Sequence, residues 1–252
     1  MIYKHSGTLG DLIYSLSVVK KMGAGEFKVA LNNIEHCVSL YGYRPDEVDP
    51  AHKGRFTQKD FELLQPLLET QPYITSASTW RLGDPEPDVD LDKFRGVLFR
   101  GFEGNYVQAY HKTFKLPFAE ADLSVPWLTA GSYPVAPVVV SRTFRYRCPN
   151  GDAVWKNIAA QIDLETNGVF LGNEDEWKDF IKVTGANIKH HVVTDFLEMA
   201  SVINSADTFM GNQNFAFSLA MGLCVPSILE TIKIKPLANN ECYFPRPNIK
   251  YF

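Results

Sequence analysis

DTFMGNQNFAFSLAMGLCVPSILE, residues 207–230, opens with a short apolar run at Thr208 to Met210 and passes through the polar turn Gly211-Asn212-Gln213-Asn214. It continues as a helix of small and apolar residues and closes on a second apolar run at 225–229. Strand, turn, helix and strand in that order form the repeating unit of an open α/β sheet with parallel strands. The turn then lies at the carboxyl edge of the sheet, where such sheets bind ligands. The first N–H groups of a helix lack partners within it and carry roughly +0.5 charge, so an anion, most often a phosphate, is the natural guest. The same residues also read as a plain turn at Gly211-Asn212 with Asn214 as N-cap.

Upstream, the alternation repeats. Residues 138–140 are a buried-type strand, followed by SRTFRYRCPNGD and a helix around 153–162; 169–171 are a strand, 172–176 a turn and 177–183 a helix. Residues 188–193 make another strand, and Asp195 with Glu198 forms a capping pattern for a helix running to Ile203. Three arginines, Arg142, Arg145 and Arg147, leave the end of the first of these strands. The planar fork of arginine matches phosphate oxygens, so this loop is a candidate diphosphate clamp, with ordinary surface arginines as the alternative. The pair His190-His191 lies in a strand, where neighbours point to opposite faces, and makes a poor metal site.

The first half begins with a similar unit. Residues 2–5 can form a strand, 6–10 a glycine-containing loop, and Leu12, Ile13, Leu16, Val19 and Met22 recur at helical spacing. Asp11 falls at the helix start, where a carboxylate either caps free N–H groups or projects into the crevice. The loop G-T-L-G-D is neither a G-x-G-x-x-G fingerprint nor a Walker A loop. Residues 27–31 and 73–78 read as strands, and 32–49 as polar and irregular. From Thr57, the pattern T-x-x-D with Phe61, Leu63, Leu64, Leu67 and Leu68 predicts a helix that Pro66 should kink or split. Asp88, Asp90 and Asp92 invite a D-x-D metal reading, but beside two prolines they read better as a solvated acidic loop. Residues 105–116 could be a helix with an aromatic face, placing His111 at the surface or its boundary.

Pro117, Pro126, Gly131, Pro134 and Pro137 punctuate a stretch without clear period, the best domain boundary. The expected organisation is an α/β chain with one Rossmann-like domain at 1–134, a second at 135–232, and a tail at 233–252 packing back on the first. With 45% hydrophobic residues, 21% charged and a net charge of −4, nothing points to disorder, and the global basic surface of non-specific nucleic-acid binding is missing. The opening MIYKHSGTLGD lacks the basic start and apolar core of a secretion signal, and no apolar run approaches a membrane span, so the expected location is the cytoplasm. Cys37, Cys148, Cys224 and Cys242 have neither zinc-site nor disulfide spacing and read as packing residues or idle thiols.

Four stretches together carry a resemblance. G-x-x-G-D-L-I-Y-S-L at 7–16, L-G-x-x-x-E at 171–176, A-D-x-x-x-G-N at 206–212 and G-x-x-V-P at 222–226 follow in an order similar to that of the GT-B glycosyltransferases of the heptosyltransferase type, glycosyltransferase family 9. The resemblance implies two Rossmann-like domains with parallel sheets facing across a cleft, the donor held by the second and the acceptor by the first. It implies transfer from a nucleotide-sugar to an acceptor hydroxyl, on a glycan, a lipid-linked glycan or another molecule, with neither cofactor nor metal. Asp11 would be the general base, and Glu176 would contact the nucleotide ribose. The implied substrate-binding set is Gly7, Thr8 and Gly10 in the first loop and Arg142, Thr143, Arg145, Glu176, Gly211, Asn212, Gln213, Asn214 and Ser218 in the second half. Two departures stand out: Gln213, Asn214 and Phe215 replace the family's acid, hydroxyl and glycine, with Ser218 in its histidine's place, and Ala153 stands where its lysine precedes the tryptophan. Diphosphate binding then rests on the arginines. The alternatives are a GT-B-shaped binding protein without chemistry and a nucleotide-sugar epimerase or hydrolase.

Overall fold

The computed structural model describes residues 1–6, 8–31, 56–81, 83–98, 100–232 and 237–252. Gly7, Cys37 and the irregular stretch at 32–49 lie outside them.

In the first half, β1 (Ile2–His5), α1 (Leu9–Met22), β2 (Gly25–Ala30), α2 (Gln58–Glu69), β3 (Ile74–Trp80), β4 (Val89–Asp90) and α3 (Tyr106–Thr113) follow in order. The sheet runs β3-β2-β1-β4, and its pairings are parallel. The expected capping box opens α2: Thr57 accepts from Asp60 N, and Asp60 answers to Thr57 N at 2.8 Å. Pro66 does not split α2. The carbonyl it deprives of a partner belongs to Glu62 on the exposed face, where water can satisfy it.

The second half is β5 (Val138–Ser141), α4 (Gly151–Gln161), β6 (Gly168–Phe170), α5 (Glu174–Thr184), β7 (Lys189–His190), α6 (Phe196–Asn204), β8 (Thr208–Asn212), α7 (Phe215–Gly222), β9 (Ser227–Glu230) and β10 (Ile249–Tyr251). Its sheet runs β10-β9-β8-β5-β6-β7, again with parallel pairings. Thus 207–230 is the strand–turn–helix–strand unit expected, with α7 buried from Ala216 to Gly222. The chain is an α/β protein with two parallel sheets.

One apolar core serves both halves. Leu12, Leu16 and Val19 of α1 belong to the same cluster as Phe217, Leu219 and Met221 of α7. A second, smaller cluster around Val140, Trp155, Phe170 and Phe180 fills the far face of the second sheet. The proline-punctuated segment between the halves is clamped: Gln71 exchanges two hydrogen bonds with Thr129, at 2.8 and 2.9 Å, and the buried Trp127 donates its indole N–H to Ile13 O at 3.1 Å. The C-terminal segment touches both halves. Phe244 stacks on Tyr14, Glu241 O accepts from Tyr106 N, and β10 extends the second sheet beside β9. Among the described residues no helix is long and apolar enough to cross a membrane.

Candidate functional site

At the end of β8 the turn side chains are spent on building the turn. Asn212, fully buried, accepts from Thr143 N at 3.0 Å and donates to the carbonyls of Thr143 (3.0 Å) and Arg145 (2.6 Å). Asn214 is the N-cap of α7, accepting from Phe217 N at 2.9 Å, and its amide donates to Ser141 O at 3.0 Å. Gln213 donates to Asn240 Oδ1 at 3.1 Å. Ser218 is buried and donates back to Phe215 O at 2.7 Å. Gly211 is required because a Cβ there would stand 2.5 Å from Ser141 O on the neighbouring strand. What the turn offers a ligand is therefore backbone: the N–H groups of Phe215 and Ala216, in the first turn of α7, carry no hydrogen bond among the described residues.

The arginines divide. Arg142 is 1% exposed and locked: Nε donates to Glu230 Oε2 at 2.7 Å, Nη2 to Oε1 at 3.0 Å, and Nη2 also faces Asp152 Oδ1 at 2.7 Å. Glu230 in turn accepts from Trp155 Nε1 at 2.8 Å and Cys148 N at 3.0 Å. Burial alone would lower the Arg142 pKa, and Glu230 with Asp152 more than reverse it. The two carboxylates take up Nε and Nη2, while Nη1 is buried with no hydrogen-bond partner among the described residues. Arg147 is likewise engaged, pairing with Asp179 at 2.7 Å and donating to Thr143 O. Arg145 is exposed, lying over the ring of Tyr146 and donating to its hydroxyl at 2.8 Å. Glu176 closes a capping box with Asn173 at the start of α5; burial pushes its carboxyl up, against the Asn173 N–H and Arg147.

In the first half, Thr8 is the N-cap of α1 and Asp11 lies in the first turn. Asp11 does not cap. Its Oδ2 accepts from Arg95 Nη2 at 2.8 Å, whereas Oδ1 has no hydrogen bond among the described residues. Arg95 also grips Asp92 through Nη1. The solvated-loop reading fits exposed Asp88 but fails for Asp90 and Asp92, because β4 pairs with β1 and carries these two against its cations and N–H groups. Asp88 accepts from Ile2 N at 2.7 Å, Asp90 pairs with Lys4 at 3.4 Å, and Asp92 is fully buried, accepting from Ser6 N and Oγ and facing Lys4 at 3.6 Å. Burial pushes the Asp92 carboxyl up, but His5, Arg95, Ser6 and Lys4 together hold it well below the usual range. His5, also buried, falls to about 4 because burial disfavours its charged form. Its Nε2 meets Tyr110 OH at 2.7 Å, and that hydroxyl donates to Asp11 O at 3.0 Å. His111 is buried rather than at the surface, since its Nδ1 lies 3.1 Å from Pro117 O and its ring meets Phe118 edge-on.

The helices α1 and α7 bring the two halves of the site together. A Cβ on Gly10 would lie 3.9 Å from Ser218 Oγ, and farther along both helices Trp127 joins Ile13 O to Gly222 O. The contacts advance in the same chain direction, so the helices run side by side with their N-termini at one end. Asp11 and the free N–H groups of α7 are then separated by about one helical turn, roughly 5–6 Å along the axis. Burial, with Asp11, Cys242, Glu241 and Tyr146 after it, pushes the Tyr106 phenol pKa up. Among the described residues no group of three His, Cys, Asp or Glu side chains is placed to hold a metal ion. His190 and His191 part, one bonding Gly172 O and the other Glu198.

No protein-family model matches the sequence, and no curated protein does. Solved structures match its architecture. The glycosyl transferase family 9 protein from Veillonella parvula DSM 2008 superposes with a TM-score of 0.53 at 11% identity, covering 100% of this chain and 84% of that one. The fold is GT-B-like. E. coli heptosyltransferase WaaC with ADP-2-deoxy-2-fluoro heptose gives a TM-score of 0.50 at 11% identity over 100% of this chain and 92% of its own. The dodecameric iron-containing heptosyltransferase TibC in complex with ADP-D-beta-D-heptose gives 0.52 at 14%, over 98% and 62%. The chain thus spans less than two thirds of TibC, and at these identities the likeness is one of fold.

Proposed function

We propose that the chain is a glycosyltransferase that moves a sugar from a nucleotide-sugar to an acceptor hydroxyl without a metal. One observation carries the reading: α1 and α7, one from each half, present their N-termini together, with a carboxylate oxygen available on the first and unpaired N–H groups on the second. That pairing supplies what sugar transfer needs. Asp11 Oδ1 takes the acceptor hydroxyl's proton as the oxygen attacks the anomeric carbon. The diphosphate that leaves gains negative charge, which the Phe215 and Ala216 N–H groups receive without reorganising, while the exposed Arg145 turns to it from Tyr146. Glu176, half-buried at the start of α5, accepts from the ribose hydroxyls. Two of the matching structures hold ADP-heptose or an analogue, which supports a nucleotide-sugar as donor.

A thermal-shift series with ADP, UDP, GDP, CMP and TDP and their sugars tests the reading. A ligand that binds only the folded state stabilises it by about 2.7 kcal/mol at a hundred times its dissociation constant. The expected result is a rise for one nucleotide, diminished in Arg145→Ala and retained in Asp11→Ala. No rise with any of them contradicts it.

A further inference from the structure

A buried carboxylate is costly unless cations and hydrogen bonds surround it, and once surrounded it becomes a rigid anchor. Asp92 is such an anchor, with 0% exposure and with Ser6, Lys4, His5 and Arg95 about it. Arg95 begins the single helical turn Arg95–Leu98 and is 8% exposed. Its guanidinium lies 4.8 Å from the centre of the Phe94 ring, grips Asp92 with Nη1 and reaches Asp11 Oδ2 with Nη2. One guanidinium therefore bridges a buried carboxylate and the carboxylate in the first turn of α1. Of the two Asp11 oxygens it occupies one.

We propose that Arg95 is a positioning residue for Asp11, anchored from behind by Asp92. It fixes the carboxylate in a single orientation and so assigns proton transfer to Oδ1. This rests on the glycosyltransferase reading. In the step, the acceptor O–H proton passes to Oδ1 while the acceptor oxygen bonds to the anomeric carbon. The bond from that carbon to the diphosphate oxygen breaks, and its electron pair leaves with the nucleotide. Misplacing a reacting group by about 1 Å can cost about 100-fold in rate, the loss expected when the clamp is removed.

The test compares Arg95→Gln, Arg95→Lys, Asp11→Ala and the Arg95→Gln/Asp11→Ala double variant. A crystal structure of Arg95→Gln reads the Asp11 side chain directly, whatever the activity. A carboxylate displaced or spread over several rotamers is expected, and one that keeps its wild-type orientation overturns the proposal. In transfer from the nucleotide-sugar that gives the thermal shift, Arg95→Gln should lower kcat about 100-fold with donor KM unchanged. Arg95→Lys, which keeps the charge but not the fork, should recover part of the loss. In the Asp11→Ala background the same substitution should cost nothing further. Equal losses in both backgrounds, or a loss confined to acceptor KM, overturn the proposal. A wild-type chain that transfers no sugar refutes the glycosyltransferase reading instead, and the Arg95→Gln structure still decides whether Asp11 is positioned.

Discussion

Replacing Glu230 by Gln removes one charge from a pocket closed to solvent, where Glu230 receives four hydrogen bonds from Arg142, Trp155 and Cys148. The amide cannot accept all of them, because its nitrogen would face donors. It also leaves the Arg142 guanidinium, 1% exposed, with Asp152 as its remaining acid, whose side chain is 62% exposed. Breaking a buried ion pair by removing one partner costs about 3–5 kcal/mol, and the partial compensation by Asp152 points to the lower end, about 3 kcal/mol. For a chain of this size 1 kcal/mol shifts Tm by about 2–4 °C, so Glu230→Gln should melt about 6–12 °C below wild type. Arg145→Ala, at an exposed position, should stay within about 0.5 kcal/mol of wild type. Thermal melts followed by circular dichroism, with urea titration as a check on cooperativity, read both. The reasoning is refuted if Glu230→Gln melts with wild type, or if Arg142→Ala keeps its melting temperature and loses a nucleotide-induced shift. The second result would make Arg142 a ligand clamp.

Other consequences follow from buried groups. The His5 pKa is pushed down to about 4, below its unfolded value near 6.5. Between those values the unfolded chain binds a proton that the folded protein refuses, so stability is lost as pH is lowered through this window, by at most about 3 kcal/mol. Urea midpoints from pH 7 to 4 should show the slope, and His5→Asn should flatten it. Asp92 acts at lower pH: its depressed pKa contributes stability that is present above the unfolded value of 3.8 and lost as pH falls below it. Gly151→Ala should destabilise by about 1–3 kcal/mol, because the added Cβ meets Glu230 Oε1 and the Arg142 guanidinium, neither of which can yield. A variant melting with wild type would show that the pocket has slack.

Much of the architecture was legible because it is local. The change between apolar strand runs and helical spacing in 138–230 marks each element, and the caps at Thr57 and Asp195 appear where their partners three residues on predicted them. β4 and β10 escaped because two or three residues in acidic or proline-bound segments carry no period, and their pairing with β1 and β9 is a long-range fact. The same limit governs the site. Three arginines after a strand look alike in sequence, and only Glu230, 88 residues away, separates buried Arg142 from exposed Arg145. Asp92 read as solvated because its partners Lys4, His5 and Ser6 lie more than 80 residues earlier. Arg95 drew no notice for the same reason. The signal was there in principle, since an acid spaced three residues before an arginine on a helical turn is a known pairing geometry.

The direct test of the central claim is nucleotide release and sugar transfer by wild type and Asp11→Ala, from each of the ADP-, UDP-, GDP-, CMP- and TDP-sugars with a panel of simple saccharide acceptors. The expected result is transfer from one donor class by wild type, lost in Asp11→Ala, with that nucleotide still raising the melting temperature of the variant. Transfer that survives Asp11→Ala, or no release from any donor by wild type, contradicts it.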